Sequence, residues 1–403
     1  MASNSRAAVP WGWLAVGGLG VAARLWLWWT TFGSNDSAIW SLHGQHVLAL
    51  GLRGAYQTYV DFNHPPLMGL YSGVAWTNGA GQPLAFARLI KLPGLLGEAL
   101  SLWGLWRFAS PRAFAAYALA PVSILISGFH GSTDCLYAAF VFLAAVAFDR
   151  ERYFLSGLLW SAALNVKVLP IVLMPIVLLA PRDRRSFLRL VAGGALGLLP
   201  FVPTLLTVAG SMYRNMLVYN SQPNDWGVLA FLNAVDREPR IRALFLVLRL
   251  NFIARGRYLM LASITGVALL SRFRLKLSMA EQTALGAAIF FVLAPGFGVQ
   301  YLIFLVPVLC FVELRAGLWW SWLTGVFAAF VYGTFLRPDV YPPFADFGFP
   351  YPAPAILVGV LAWAYLLQFI WTRLRDAWVR TQPVLRMPAA MPLSVSNNGR
   401  PTS

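Results

Sequence analysis

Apolar runs separated by short basic turns make up most of the chain. Residues 11–32, 84–106, 113–128, 136–148, 187–209, 258–270, 282–293, 301–312, 318–335 and 355–371 are such runs, and they read as membrane helices. Between them lie Arg107/Arg112, Arg150/Arg152, Arg182/Arg184/Arg185/Arg189, Arg272/Arg274/Lys276 and Arg373/Arg375/Arg380/Arg386. Basic clusters of this kind mark cytoplasmic loops. Used as posts, they set the direction of each run and place both termini inside. The expected external segments are then 33–83, 129–135 and 210–257. The pattern predicts an all-α polytopic membrane protein, a bundle of about 12 transmembrane helices. Residues 1–372 form its single membrane domain and 373–403 a basic cytoplasmic tail, partly disordered.

Three stretches depart from simple alternation. Residues 65–76 are apolar but too few to span, so a juxtamembrane helix is expected in the first external loop. Residues 153–180 have basic turns on both sides, which demands an even number of passes, yet they are too few for two. A short hairpin broken around Asn165–Pro170 meets both conditions, and broken helices at membrane depth occur where they line a cavity. Residues 210–257 carry Arg214, Arg237, Arg240, Arg242, Arg249, Arg255 and Arg257 on a side expected to be external. Within them Ile241, Leu244, Phe245, Leu248 and Phe252 share one helical face. Either this is an interfacial helix beside an anionic ligand, or the inside–outside assignment fails there.

Composition agrees with the pattern. Of 403 residues, 59% are hydrophobic and only 11% charged, too few to clothe a soluble fold or to keep a chain disordered. The net charge of +16 sits in the basic turns, so it speaks for topology and anionic membrane lipids and against nucleic acid. The first run is too long for a signal-peptide core and reads as an uncleaved anchor. Cys135 and Cys310 lie beside or within apolar runs and imply no disulfide framework. Three lysines against 28 arginines suggest a GC-rich bacterial genome, hence a plasma membrane.

The scarce polar residues gather in the external segments. His43, His46 and His64 fall in the first loop and His130 in the second, together with Asp36, Asp61 and Asp134. External loops tolerate polar groups anyway, but that alone would also put histidines in cytoplasmic loops, and there are none. A shared outward-facing site is expected. Asp36 follows the first run in Ser34-Asn35-Asp36-Ser37, where it is either a plain helix cap or a general base for an acceptor hydroxyl. Lys167 lies inside the apolar hairpin and needs an anion, either Glu98 in an ion pair or a donor phosphate. Arg214 is a second phosphate candidate. Trp40, Trp226, Tyr56 and Tyr219 could stack on a sugar, although interfacial belts account for most aromatics here. His43 and His46, spaced i, i+3, could join Asp36, Asp61 and Asp134 around a divalent ion. Neither Asp-X-Asp nor His-Glu-X-X-His occurs, and no metal or other cofactor is expected.

Five motifs follow one order along residues 11–310: Asp36 after the first run, Asp61-Phe62-Asn63-His64-Pro65-Pro66, Gly128-Phe129-His130-Gly131-Ser132-Thr133-Asp134, Asn165-Val166-Lys167-Val168-Leu169-Pro170, and Pro295-Gly296-Phe297-Gly298-Val299-Gln300-Tyr301. In this the chain resembles the GT-C superfamily of integral-membrane glycosyltransferases that use polyprenyl-phosphate sugars. The layout is most similar to dolichyl-phosphate-glucose-dependent glucosyltransferases and polyprenyl-phosphate-mannose-dependent mannosyltransferases. The resemblance implies a GT-C-like bundle in which Asp36 is the base of an inverting transfer. Asp134 joins it as a catalytic candidate; Lys167, Arg214 and His64 are candidates for the donor phosphate. His43, Asp61, His130, Gln300 and Tyr301 are candidates for the rest of the substrate. The implied partners are a polyprenyl-phosphate sugar and a lipid-linked or glycan acceptor. The glucosyltransferases carry Asp-Tyr-Pro-Pro where this chain has Asn63-His64-Pro65-Pro66, and they lack a clear counterpart of Asp134, which leaves the sugar open. A lipid-linked-sugar flippase or small-molecule transporter is the alternative, but no internal repeat is visible and the carboxylates are not at the midplane. An O-antigen ligase or polymerase would suit an Asp-led site less well.

Overall fold

The computed structural model describes residues 11–79, 82–218, 225–235, 242–333 and 351–382. All regular structure among them is helical. Tyr219, Arg237, Arg240, Ile241, the end of the run 318–335 and the tail beyond residue 382 lie outside the described residues.

Helices α1 (Trp11–Thr30), α2 (Asn35–Thr58), α3 (Pro66–Asn78) and α4 (Pro83–Phe108) come first. Ser34 caps α2 by accepting from the Asp36 amide, and α2 bends at Gly51, whose φ of 65° suits glycine. Helix α5 (Pro111–Ala118) starts from a Ser110 cap, and α6 (Pro121–Ile124) runs on into a π-helical turn, Leu125–His130. Then follow α7 (Asp134–Asp149), α8 (Tyr153–Val166), α9 (Met174–Leu179), α10 (Arg184–Gly197), α11 (Val202–Met212) and α12 (Gly227–Val235). The long α13 (Arg242–Phe273), α14 (Met279–Leu293), α15 (Val306–Val312), α16 (Leu314–Tyr332) and α17 (Ala353–Thr381) complete the order.

Helix α7 is the centre, with nearly every side chain from Asp134 to Ala147 buried. It is flanked by α4, α8, α14 and the 3-10 segment Val299–Leu305. At Gly97 the backbone of α4 lies on α7: a Cβ there would stand 2.3 Å from the Cys135 carbonyl. At the far end of α7, the Asp149 carboxylate accepts from the amides of Met279 and Ala280, so the end of α7 helps cap the start of α14.

By length and apolarity two helices can cross a membrane, Ala243–Phe273 and Ala353–Thr381. The count rises to as many as four if two bent pairs, Pro111–Ala118 with Pro121–His130 and Arg184–Gly197 with Leu199–Leu217, each form one span. These apolar helices are consistent with a membrane protein, since only 28% of the most apolar window of each long helix is buried. Twelve spans are not established by this count, in which some apolar runs are divided into shorter helices at proline. The first bent pair turns by 55° at Pro121 and the second by 40° near Pro200. The run 301–312 is half 3-10 helix. Residues 242–257, of which 242–252 are expected to be helical, join the run 258–270 in the continuous α13. Arg249, Arg255 and Arg257 interrupt its hydropathy without weakening helix propensity.

Candidate active site

Two buried tethers hold the segment between α1 and α2 against the turn Leu125–His130. The Ser34 amide donates to the His130 carbonyl at 2.9 Å and the Ser34 hydroxyl donates to the same oxygen at 2.7 Å. Behind them the buried Lys91 ammonium donates to the Thr31 carbonyl (2.7 Å), the Thr31 hydroxyl (3.1 Å) and the Gly128 carbonyl (3.3 Å). Gly131 then turns away with a φ of 84°; a Cβ there would stand 2.2 Å from the Ser37 hydroxyl of α2. Glycine is required by both the conformation and the space.

This brings Asp36, in the first turn of α2, to His130. Nε2 of the imidazole lies 3.0 Å from Asp36 Oδ2, and the Tyr332 hydroxyl lies 2.7 Å from Nδ1. With the proton on Nε2, the ring donates to Asp36 and accepts from Tyr332. The Gln300 amide donates to the same Oδ2 at 3.2 Å. The Asp36 side chain is 21% exposed and that of His130 only 3%, so a ligand meets the carboxylate and not the ring. Burial pushes the Asp36 carboxyl up, but its interactions with His130, the hydrogen bond among them, and with Lys167 hold it below its ordinary value.

The second cluster is centred on Lys167, at the break between α8 and the 3-10 turn Leu169–Leu173. Its ammonium donates to both oxygens of Asp134, at 2.8 and 2.9 Å. The carboxylate expected as its protein partner, Glu98, is bonded instead to Arg24 at 2.9 Å inside the bundle. Lys167 also lies 4.6 Å from the centre of the Tyr301 ring. Gln300 and Tyr301 are consecutive, one on Asp36 and the other under Lys167, so the two clusters form one site.

Lys167 opens onto a cavity of about 400 Å³. Asn63, His64, Tyr301 and Arg257 are its other polar lining, while Ile171, Val172, Met216, Ile253, Met260 and Phe290 supply apolar wall. His64 Nε2 and Arg257 Nε are both buried without a partner.

Behind His64 the first-loop aromatics stack. Trp40 covers His64 at 3.6 Å between ring centres and Tyr59 covers His46 at 3.5 Å. His43 stands edge-on to His64 at 5.0 Å, with Asp61 Oδ2 4.0 Å from its Nε2. Burial depresses His43 to about 4 and holds His64 well below its ordinary value, so both rings are neutral at physiological pH.

Of the expected residues, Asp36, His130, Gln300, Tyr301, Asp134, Lys167 and His64 converge, with His43 and Asp61 one layer behind. Arg214 is exposed, 3.5 Å from the Ser211 hydroxyl and away from the cavity; Arg257 takes the cavity wall. Trp226 is buried, stacked on Phe297 at 4.4 Å, and Tyr56 donates to the His64 carbonyl, so neither offers a free face. No three His, Cys, Asp or Glu among the described residues are grouped as metal ligands. Tyr332, Lys91 and Arg257 were missed. Lys91 could have been found by the argument that singled out Lys167, because it too sits in an apolar run; Tyr332 carries no such signal.

Compared with known proteins, the chain matches no family model and no curated sequence.

Proposed function

We propose that the protein is an inverting glycosyltransferase that moves a hexose from a polyprenyl-phosphate donor to a hydroxyl of a lipid-linked glycan, glycolipid or related acceptor. The reading includes a GT-C-like bundle of about 12 helices. It also places the protein in a bacterial plasma membrane, with both termini in the cytoplasm and the site outside. One observation carries it: Asp36 and Lys167 are joined through the consecutive Gln300 and Tyr301, and Lys167 and Tyr301 line a cavity whose walls are largely apolar.

The acceptor oxygen attacks the anomeric carbon while the bond from that carbon to the phosphate oxygen breaks. The hydroxyl proton passes to Asp36 Oδ1, since the bonds from His130 and Gln300 both fall on Oδ2. General-base assistance of this kind contributes typically 10²–10⁴-fold. His130, backed by Tyr332, keeps the carboxylate oriented. The electron pair leaves on the lipid phosphate, where Lys167 and Arg257 offset the charge and His64 offers a neutral ring nitrogen. Asp134 holds Lys167 in place. The isoprenoid chain follows the apolar wall of the cavity.

A reconstituted assay with radiolabelled donors tests this reading. Transfer from polyprenyl-phosphate hexose, with none from UDP- or GDP-hexose, is expected. Turnover with a nucleotide sugar overturns it. So does movement of the intact lipid-linked sugar across vesicles without transfer, which would mark a flippase.

A further inference from the structure

A second groove, of about 450 Å³, lies on α10, lined by Arg184, Arg185 and Arg189 with Phe154, Leu188 and Ala192. We infer that it binds one phospholipid with an anionic headgroup, the three arginines on its phosphate and the apolar side chains against its acyl chains. None of the lining residues belongs to the candidate active site.

Charge is the first support. All three arginines are exposed, and among the described residues none of them forms an ion pair. The neighbouring carboxylate, Asp183, is committed to its own helix: it accepts from the Ser186 amide at 2.9 Å and the Ser186 hydroxyl at 2.6 Å. Arg185 also feels the charge of this carboxylate, but three guanidinium groups against one acid leave the surface net cationic. The guanidinium fork suits a phosphate.

The second support is how apolarity is distributed along α10 and its bent continuation, Leu199–Leu217. No charged residue occurs from Leu190 to Tyr213. Over that stretch Val191, Leu196, Leu199 and Leu206 are exposed at 41, 51, 55 and 82%. Arginines confined to one end of a bare apolar face place that end at headgroup level and the rest among acyl chains. Between the two, the groove has a wall. Gly193 lets α8 approach so closely that a Cβ would stand 2.0 Å from the Phe154 carbonyl, and this holds Phe154 beside Leu188. Phe154 is 44% and Leu188 52% exposed, which leaves room for a chain against both.

The test uses the full-length protein, purified from mixed phosphatidylglycerol and phosphatidylcholine nanodiscs and examined by native mass spectrometry for retained lipid. Wild type should retain phosphatidylglycerol. A basic residue at an anionic lipid surface is worth roughly fivefold, so Arg184→Gln/Arg185→Gln/Arg189→Gln should lose about a hundredfold in affinity. Its melting temperature in pure phosphatidylcholine should be unchanged. Arg53→Gln, which removes an exposed arginine elsewhere, should retain the lipid like wild type. Equal retention of phosphatidylcholine by wild type, or undiminished phosphatidylglycerol on the triple variant, overturns the inference. Loss of the lipid from Arg53→Gln to the same degree also overturns it, showing a general charge effect. Displacement of the lipid by millimolar inorganic phosphate would assign the arginines to a free anion instead.

Discussion

Replacing Arg24 with Met should cost the fold more than any other single change outside the candidate site. Arg24 lies in the middle of α1 and its side chain is 2% exposed, opposite Glu98 of α4 at 3%. Its guanidinium donates to Glu98 Oε2 at 2.9 Å, to the Gly20 carbonyl at 2.9 Å, to the Tyr117 carbonyl at 3.1 Å and to the Ser123 hydroxyl at 2.6 Å, and it also meets the Ala118 carbonyl. Glu98 in turn accepts from the Tyr117 hydroxyl at 2.9 Å and the Ser123 hydroxyl at 2.6 Å. Methionine keeps the length and apolarity of the stem but leaves a carboxylate buried without its cation. Breaking a buried pair in this way costs about 3–5 kcal/mol. At about 2–4 °C per kcal/mol for a large domain, melting should fall by roughly 10 °C. The double variant Arg24→Met/Glu98→Gln removes both charges and keeps a polar group for Tyr117 and Ser123. It should recover most of the loss, with a coupling of about 2 kcal/mol or more. Thermal unfolding of the four proteins in one detergent measures the cycle. An Arg24→Met protein that melts within about 2 °C of wild type, or a double variant no better than the single, refutes the reasoning.

Other expectations follow from the site. Lys167→Met should raise the donor KM at least tenfold; it also strands Asp134, so Lys167→Met/Asp134→Asn should restore stability without restoring donor affinity, as separate melting and kinetic assays would show. Tyr332→Phe removes the hydroxyl on His130 Nδ1 and should lower kcat by about tenfold with donor KM unchanged, and an unaltered kcat would place Tyr332 outside the relay. His43 titrates at about 4 in the fold against 6.5 ordinarily, so the unfolded chain binds the proton more readily. The stability this confers is complete above pH 6.5 and is lost as pH falls towards 4, by up to about 3 kcal/mol. His43→Phe should flatten that acid dependence in melting curves recorded from pH 7 to pH 4.

Much of this site could be read in the residues before any fold was known. Ser34-Asn35-Asp36-Ser37 after an apolar run announces a capped helix start, and Lys167 before Pro170 announces a break. Both are local signals carried by one or two residue types. What escaped depends on distance along the chain. The partner of Lys167 is 33 residues away in α7, and the hydroxyl on His130 is 202 residues away in α16. Nothing local distinguishes Asp134 from Glu98 as the acid for a buried lysine. Arg24 sat unnoticed inside the first run because one charge hardly lowers the hydropathy of so apolar a segment. The breaks inside apolar runs were hidden for a related reason: hydropathy integrates over a window and does not register where Pro121 or Pro200 turns the chain.

The most direct test of the central claim is single-turnover transfer by wild type and Asp36→Asn from the same polyprenyl-phosphate hexose. Asparagine keeps the shape of the side chain and still accepts from His130 and Gln300, but it cannot take the acceptor proton. The account predicts a fall in the transfer rate of at least about 10²-fold, with donor binding and melting temperature unchanged. An Asp36→Asn protein that keeps more than about a third of the rate would contradict it and leave Asp36 as a helix-start residue alone.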